Sequence, residues 1–342
     1  MQPGLSPWTT IVEDPAVGLT LLGVAEDDLP QVGPPVVDLF AVALHDRADD
    51  RHHRVEYVGD ALGRRPAFCE RFGVRGILHQ QEELALGLGV EEQRGTMLGM
   101  RVFSGPVGEP AVELAVATAM VRRASAGELV EALRIYRPAE PVLVFGRRDT
   151  RHPGFEAAVR VGRDAGFVPL VRAVGGRPVA YTSEALVIDH VRPDLRATED
   201  QQSRFKAFGQ LYADTLRAID IDARVGEIPG EYCPGPESIN ARGAVKLVGT
   251  GQRVVRNAWL FSSLTVIGDA DLIRSLLTEV YANLELPFDP ATVGSLSTER
   301  PDLTATAVEH HFHATFAAGI APSLLDHPTL ELAASSAADH RI

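Results

Sequence analysis

The spacing of hydrophobic and polar residues becomes regular at about residue 104. Apolar residues at steps of three and four predict helices, over 113–123, 154–165, a long stretch following residue 201, 270–283 and near 305–318. Short apolar runs bounded by Gly and Pro predict strands, over 134–136, 142–145, 168–172, 178–181, 185–191, 245–248 and 258–266. Strand pairs between helices, without strict alternation, predict an α+β domain in which a mixed β-sheet packs against helices.

The two ends of the chain carry weaker patterns. Residues 1–105 are rich in proline, include the charged stretch 45–54, and suggest only an extended segment over 36–44 and a helix around 79–88. Thr198 and Gln201 match a capping box at the start of the long helix, and residues 325–342 are expected to fray. We therefore expect an N-terminal region of unknown role over 1–105, such as a small accessory domain, a main domain over 106–320 and a C-terminal tail over 321–342.

Composition and charge narrow the functional classes. The 342 residues carry 33 basic and 46 acidic side chains, a net charge of −13. This balance argues against binding to nucleic acid or to anionic membranes, because both need a positive surplus. The first residues lack an export signal, no apolar run approaches a membrane span, and the two cysteines form no C-x-x-C pair. A cytoplasmic protein without a disulfide framework is expected.

Two segments carry candidate chemistry. Gly175 and Gly176 lie between two predicted strands, flanked by Arg172 and Arg177. Such a turn lets backbone N–H groups approach an anionic or carbonyl ligand, although Gly-Gly is equally typical of a plain hairpin. Further along, 246–253 reads Lys-Leu-Val-Gly-Thr-Gly-Gln-Arg, with one of only two lysines in the chain.

Lys246 and Cys233 each allow two interpretations. A lysine on an apolar strand is costly to bury without an anion or carbonyl partner, but it can also point to solvent from an alternating strand. Cys233 lies in a Pro/Gly loop 13 residues before Lys246. It can act as a nucleophile near cations, or simply fill apolar space.

Other features yield less. His310, His311 and His313 fit no zinc-binding spacing, so no metal is predicted, and the chain has no G-x-S-x-G elbow. Residues 134–177 contain nine Arg and four acidic residues, a local surplus of +5. This strip suits an acidic partner protein or a phosphate-bearing ligand, or is merely a solvated face.

The order of these segments carries a resemblance. A helix is followed by Arg134-Ile-Tyr-Arg, by 141–147, by the Gly175–Gly176 turn and by the Lys246 segment. Over about residues 105–320 this order resembles the catalytic domain of the lipoate–protein ligase and biotin–protein ligase superfamily, which has a class II synthetase-like fold. The resemblance implies that the Gly-Gly turn closes over the acyl chain and that Lys246 lies beside the acyl carbonyl.

Two details resemble the cysteine-dependent octanoyltransferases within that superfamily. The turn reads Gly-Gly-Arg, and Cys233 precedes the motif lysine in a proline-containing loop. The resemblance implies acyl transfer from an acyl-carrier protein thioester to Cys233, and then to a lysine of a lipoyl-domain protein. Cys233 and Lys246 are the expected catalytic residues. The expected substrate-binding residues are Arg172, Gly175, Gly176, Arg177, Asn240, Gly249, Gly251 and Gln252.

Two alternatives remain open. An ATP-dependent lipoate or biotin-type ligase would need ATP and Mg, and Lys246 would face an acyl-adenylate, whereas the octanoyltransferase route requires no cofactor. A non-catalytic carrier-protein binder would use the same groove and the arginine strip. A monomer would suit an enzyme that docks two small proteins.

Overall fold

The computed structural model describes residues 99–342 and four strands of the N-terminal region. Contacts divide the chain into two compact units, Met1–Gln81 and Glu82–Ile342. In the first unit β1 (Thr10–Asp14), β2 (Leu19–Gly23), β3 (Ala41–Leu44) and β4 (Val55–Tyr57) form an antiparallel sheet in that order. The expected extended segment 36–44 is thus described only over β3, and the helix expected around 79–88 lies outside the described residues.

A seven-stranded sheet organises the second unit, in the order β11-β12-β13-β14-β10-β6-β5. Its strands are β5 (Arg101–Ser104), β6 (Ala132–Tyr136), β10 (Ala185–Pro193), β11 (Ala223–Val225), β12 (Ile239–Ala241), β13 (Val245–Val255) and β14 (Ala258–Val266). Only β5 and β6 pair in parallel; the other pairs are antiparallel. The mixed sheet confirms the α+β prediction.

The second unit also contains a three-stranded sheet. It consists of β7 (Val142–Phe145), β8 (Val168–Val171) and β9 (Val179–Tyr181), ordered β8-β7-β9. The Gly175–Gly176 turn joins β8 to β9, because Gly and Pro leave residues 172–178 unable to continue a strand.

Helices pack against both sheets, and α2 and α4 lie against the small one. They are α1 (Pro110–Ser125), α2 (Phe155–Asp164), α3 (Gln201–Arg217), α4 (Ala270–Asn283), α5 (Leu296–Glu299), α6 (Ala305–Phe316) and α7 (His327–Ser336). Alternate residues of each strand point to opposite faces. Leu133 and Ile135 therefore join the core that includes α3 and α6, whereas Ala132 packs with the core that contains α1.

Three local expectations are wrong. The predicted capping box is absent, because α3 begins at Gln201 after Asp200, and backbone bonds hold residues 194–199 in turns. The 245–248 strand extends to Val255, through glycines that weakened its pattern. β5 belongs to the large sheet although the sequence analysis put it in the N-terminal region, because its backbone pairs with β6.

The C-terminal residues pack instead of fraying. Asp326 accepts a hydrogen bond from the Thr329 backbone N–H at the start of α7 and pairs with Arg123 at 2.7 Å. Ala333 and Ala337 are buried, and α7 contacts α1. The His340 Nδ1 donates to the Val171 carbonyl at 2.7 Å. Small residues, which suggested fraying, allow this close approach of two helices.

Candidate active site

Cys233 lies in the loop between β11 and β12 and is held at both backbone polar atoms. Its N–H donates to Tyr281 Oη at 2.7 Å, and its carbonyl accepts from Lys246 Nζ at 2.7 Å. Its φ angle is +43°, in the left-handed region that side chains other than Gly rarely adopt. Such a backbone persists only where the surrounding contacts determine it, and here two buried side chains do so.

The Cys233 thiol receives two N–H donors from the Gly-Gly turn. Arg177 donates its backbone N–H to Sγ at 3.2 Å, and Arg172 Nη2 donates to Sγ at 3.5 Å. Burial alone would lower the pKa of Arg172, but charge on Cys233 and Tyr181 more than offsets this effect, and the Arg172 pKa is raised. Both donors stabilise negative charge on the sulfur, which is the nucleophilic form of a thiol.

Arg172 also shapes the turn itself. Its Nε donates to the Gly175 carbonyl at 3.1 Å and its Nη2 to the Arg177 carbonyl at 2.8 Å. Gly176 has a φ of +119°, and a Cβ added there would meet Arg172 Nη2 and lie 2.7 Å from Cys233 Sγ. The position therefore requires Gly, because a side chain would occupy the space in which the thiol sits.

Lys246 is buried, with 1% exposure, and all three of its N–H groups have protein acceptors. Nζ lies 2.9 Å from Glu231 Oε1, 3.0 Å from the Tyr232 carbonyl and 2.7 Å from the Cys233 carbonyl. Glu231 is buried as well, and accepts from Ser238 Oγ at 2.6 Å and from the Ile228 N–H at 3.1 Å. The solvent-exposed interpretation of Lys246 is wrong: this ion pair fixes the Cys233 loop.

The remaining predicted site residues divide into two groups. Gly251 faces the turn, since a Cβ there would lie 3.7 Å from Val174 Cβ, and a Cβ at Gly249 would lie 3.6 Å from Lys246 Cε. Asn240 instead donates to the Gly226 carbonyl and accepts from the Gly243 N–H, both at 2.8 Å. Gln252 accepts from Arg204 Nη1 and donates to the Gln201 carbonyl. Neither side chain bonds to Cys233: Asn240 ties the first residue of the Cys233 loop to the turn after β12, and Gln252 bonds to α3.

Three site residues escaped the sequence analysis. Tyr281 Oη accepts from Cys233 and donates to the Pro178 carbonyl at 3.0 Å, linking the loop to the turn. Asp149 pairs with Arg177 at 2.8 Å and accepts from the Gly146 N–H. Glu231 is the third, and one feature of the sequence could have identified it. It is an acidic residue two positions before the candidate nucleophile, and a buried lysine needs an anionic partner. Nothing local marks Tyr281, which lies 48 residues downstream on α4.

A small cleft lies between α1 and strands β6, β10 and β14, with a free volume of about 20 Å³. Leu114, Val187 and Leu260 form part of its apolar wall, and Arg172, which touches Cys233 Sγ, also lines it. The cleft brings a partly apolar wall to the arginine that contacts the thiol, but its free volume of about 20 Å³ is smaller than an acyl chain, so a chain would enter only if the walls moved apart.

Asp189, which lines this cleft, provides a pH test of the site. Burial raises its pKa to about 6, although Ser262 Oγ donates to its Oδ1 at 2.6 Å. The folded-state pKa exceeds the unfolded value, so this carboxyl lowers stability as pH rises above about 4, and the full penalty is present above about 6. We expect Asp189→Asn to raise the free energy of unfolding by about 3 kcal/mol at pH 8 and by less at pH 5.

Urea unfolding of Asp189→Asn and wild type at pH 5 and pH 8 measures this difference. The exposed Asp164→Asn is the control, and its difference from wild type is expected to stay within about 0.5 kcal/mol. A gain for Asp189→Asn that is equal at the two pH values would refute the assigned titration.

Neither a metal site nor a membrane span is found in the described part of the chain. No group of three or more His, Cys, Asp or Glu residues there is placed to hold a metal ion. His311, from the predicted cluster, bonds through Nε2 to the Thr215 carbonyl at 2.8 Å. Within the same residues, no helix combines the length and apolar character needed to cross a bilayer.

Comparison with known proteins gives relatives in sequence and in structure. No protein-family model matches. A Geobacillus kaustophilus protein named octanoyl-[GcvH]:protein N-octanoyltransferase is 30% identical over 152 residues, 44% of this chain and 53% of that protein. A Bacillus velezensis protein of the same name is 31% identical over 137 residues, 39% of this chain and 47% of that protein. The chain thus spans about half the length of the curated relatives it matches.

Solved structures match over a longer stretch. Lipoate-protein ligase A bound with ATP superposes with a TM-score of 0.55 and 20% identity, covering 70% of this chain and 94% of that one. This chain therefore has the fold of the lipoate–protein ligases. The putative lipoate protein ligase Ta0514 from T. acidophilum, with bound lipoic acid, gives 0.55 and 18% over 70% of this chain and 95% of that one. The resemblance to the lipoate–protein ligase superfamily, inferred from the Gly-Gly turn and the Lys246 segment, is supported by these sequence relatives and by the shared fold.

Proposed function

We propose that this chain is an acyltransferase that moves an octanoyl or lipoyl-type group through a Cys233 thioester onto a lysine of a lipoyl-domain protein. The observation that carries the proposal is the Cys233 thiol, held by two N–H donors beside the Gly-Gly turn. The curated relatives, named as octanoyltransferases that act on GcvH, support this reaction. The protein would act in the cytoplasm, and as a monomer.

The reaction takes two displacements. The Cys233 thiolate attacks the donor carbonyl, the acyl–sulfur bond forms, and the donor leaves as a thiol or amine that takes up a proton. The acceptor lysine amine then attacks the acyl-Cys233 carbonyl, an amide forms with loss of a proton, and the Cys233 thiolate is released. The thioester keeps the acyl group activated, so the route requires no ATP.

The donor has two candidate forms. The family resemblance implies the thioester of an acyl-carrier protein, whereas the names of the relatives give octanoylated GcvH, a protein donor. Arg177 N–H and Arg172, which already donate to Sγ, are placed to stabilise charge that develops beside the sulfur. Lys246 would reach the acyl carbonyl only by exchanging its bond to the Cys233 carbonyl, so we assign it first to positioning the nucleophile.

The test uses intact mass. The protein is incubated, without ATP, with octanoyl-carrier thioester or with octanoylated lipoyl-domain protein. Its intact mass is then measured before and after treatment with hydroxylamine. We expect one hydroxylamine-labile octanoyl adduct that Cys233→Ser abolishes and that Cys69→Ser, the control at the other cysteine, retains. Transfer at wild-type rate by Cys233→Ser would refute the nucleophile assignment.

Two other outcomes identify the alternatives. Transfer only from free acid with ATP and Mg would make the chain a ligase, as its structural relatives are named. Binding of the carrier with no adduct under either condition would make it a non-catalytic binder.

A further inference from the structure

Four of the nine arginines in the predicted strip over 134–177 are held by the fold. Arg134 is fully buried and paired with Glu113, and Arg172 is buried beside Cys233. Arg177 pairs with Asp149, and Arg137 pairs with Glu184 at 3.0 Å. These four arginines therefore serve the fold and the thiol, whereas the other five of the strip are exposed.

Three arginines, one of them from this strip, lie close enough to interact electrostatically, and one of the three contacts the Gly-Gly turn. We call Arg122 of α1, Arg147 after β7 and Arg253 of β13 the arginine cluster. Arg253 Nη1 donates to the Ala173 carbonyl in the turn at 3.0 Å. Arg147 follows Gly146, whose backbone lies so close to the Gly176 carbonyl that a Cβ there would clash with it.

The cluster lacks counter-charge. Among the described residues, no carboxylate forms an ion pair with any of its three members, and Arg122 and Arg147 are exposed. Burial lowers the pKa of Arg253, and the charges of Arg147 and Arg122 lower it further. Burial lowers the pKa of His340 and the same two arginines lower it further, while the Val171 carbonyl and Asp339 act in the opposite direction. The α1 dipole favours a cation at Arg122 but not at the other two positions.

Cations gathered without anions reduce the stability of the fold, so their benefit lies in what they attract. The chain as a whole carries −13 and repels acidic proteins. A local positive surface at the turn beside Cys233 attracts an acidic protein to the place where an acyl donor or acceptor approaches the thiol. Because two members are exposed and the three lie on separate elements, they suit a broad acidic surface better than a single enclosed phosphate.

We propose that the arginine cluster docks an acidic face of the lipoyl-type protein domain that delivers or receives the acyl group. The proposal rests on the proposed function and adds the surface that recognises the partner. Carboxylates beside the acylated lysine contact Arg122, Arg147 and Arg253, while the acyl group passes the Gly-Gly turn to reach Cys233.

The test reverses charge at two exposed members. Arg122→Glu/Arg147→Glu is compared with wild type and with Arg160→Glu/Arg196→Glu, which makes the same change in net charge at two other exposed arginines. Two quantities are measured at low and at about 1 M salt. One is the rate constant for Cys233 acylation by a small neutral octanoyl thioester, and the other is kcat/KM with an acidic octanoylated lipoyl domain.

We expect the cluster variant to lose about tenfold or more in kcat/KM with the protein donor at low salt, and to approach wild type at high salt. The control is expected to lose much less, and the small thioester to acylate all three proteins equally. Equal losses in cluster and control variants, or a loss that high salt does not reduce, would overturn the proposal. Octanoyl-CoA is assayed as a third donor, and a loss confined to it would make the cluster a phosphate site and would also overturn the proposal.

Failure of the proposed function gives a separate result. If no thioester forms on wild-type Cys233, the acyltransfer assignment fails, and direct titration of the acidic lipoyl domain still tests docking. Weaker binding by the cluster variant than by the control at low salt supports the docking surface, and equal binding refutes it.

Discussion

Lys246→Met is expected to lower the free energy of unfolding by about 3–5 kcal/mol, because it leaves the Glu231 carboxylate buried without its cation. Both side chains are almost fully enclosed, with 1% and 0% exposure, and their atoms lie 2.9 Å apart. The same change removes the donor to the Cys233 carbonyl, so thiol reactivity is expected to fall together with stability.

The chain supplies a matched control for this prediction. Lys206, the only other lysine, is exposed on α3, and Lys206→Met is expected to change the unfolding free energy by less than about 0.5 kcal/mol. Urea unfolding of both variants measures the difference. Lys246→Met/Glu231→Gln should be more stable than Lys246→Met alone, because the double variant carries no unpaired buried charge. Similar losses in Lys246→Met and Lys206→Met would contradict the ion pair.

Gly176→Ala is expected to slow acylation of Cys233 by about 10²-fold. The added methyl group would need a φ of +119°, would meet the Arg172 guanidinium, and would lie 2.7 Å from the thiol sulfur. The turn must then move, and it takes with it the two N–H donors that act on Sγ.

Gly175→Ala is the control for this variant, since a Cβ at Gly175 meets nothing within 4 Å and its φ is not in the left-handed region. Rates of octanoyl transfer and of thiol alkylation, measured for both variants, test the expectation. If the two variants react at the same rate, the packing of Gly176 against Cys233 has no functional role.

Elements with sharp boundaries could be predicted from sequence. The strand over 142–145, the strand over 258–266 and the helix over 270–283 agree with β7, β14 and α4, because turn residues bracket strongly apolar runs. β13 was underestimated, since Gly249 and Gly251 interrupt its hydrophobic pattern while its backbone continues to pair with β14.

The candidate site could likewise be predicted only in part from the sequence. Cys233, Lys246 and the Gly-Gly turn stand out as residue types and spacings, and the structure places them together. The partners that hold them could not be found that way. Tyr281 is an ordinary aromatic residue on an amphipathic helix, and only the packing of α4 brings its hydroxyl to Cys233. Hydrogen bonds between distant segments leave no periodic trace in the sequence.

The Tyr281 hydroxyl has a consequence for how the site opens. One phenolic oxygen joins the Cys233 loop, which precedes strands of the large sheet, to Pro178, which precedes a strand of the small one. Any motion that parts the two sheets here must break one of these bonds and strip a buried backbone group of its partner. The Cys233 side chain is already partly exposed, and release of the turn would expose its sulfur further. An increase in the labelling rate of this cysteine would report, in solution, how often the seam between two sheets comes apart.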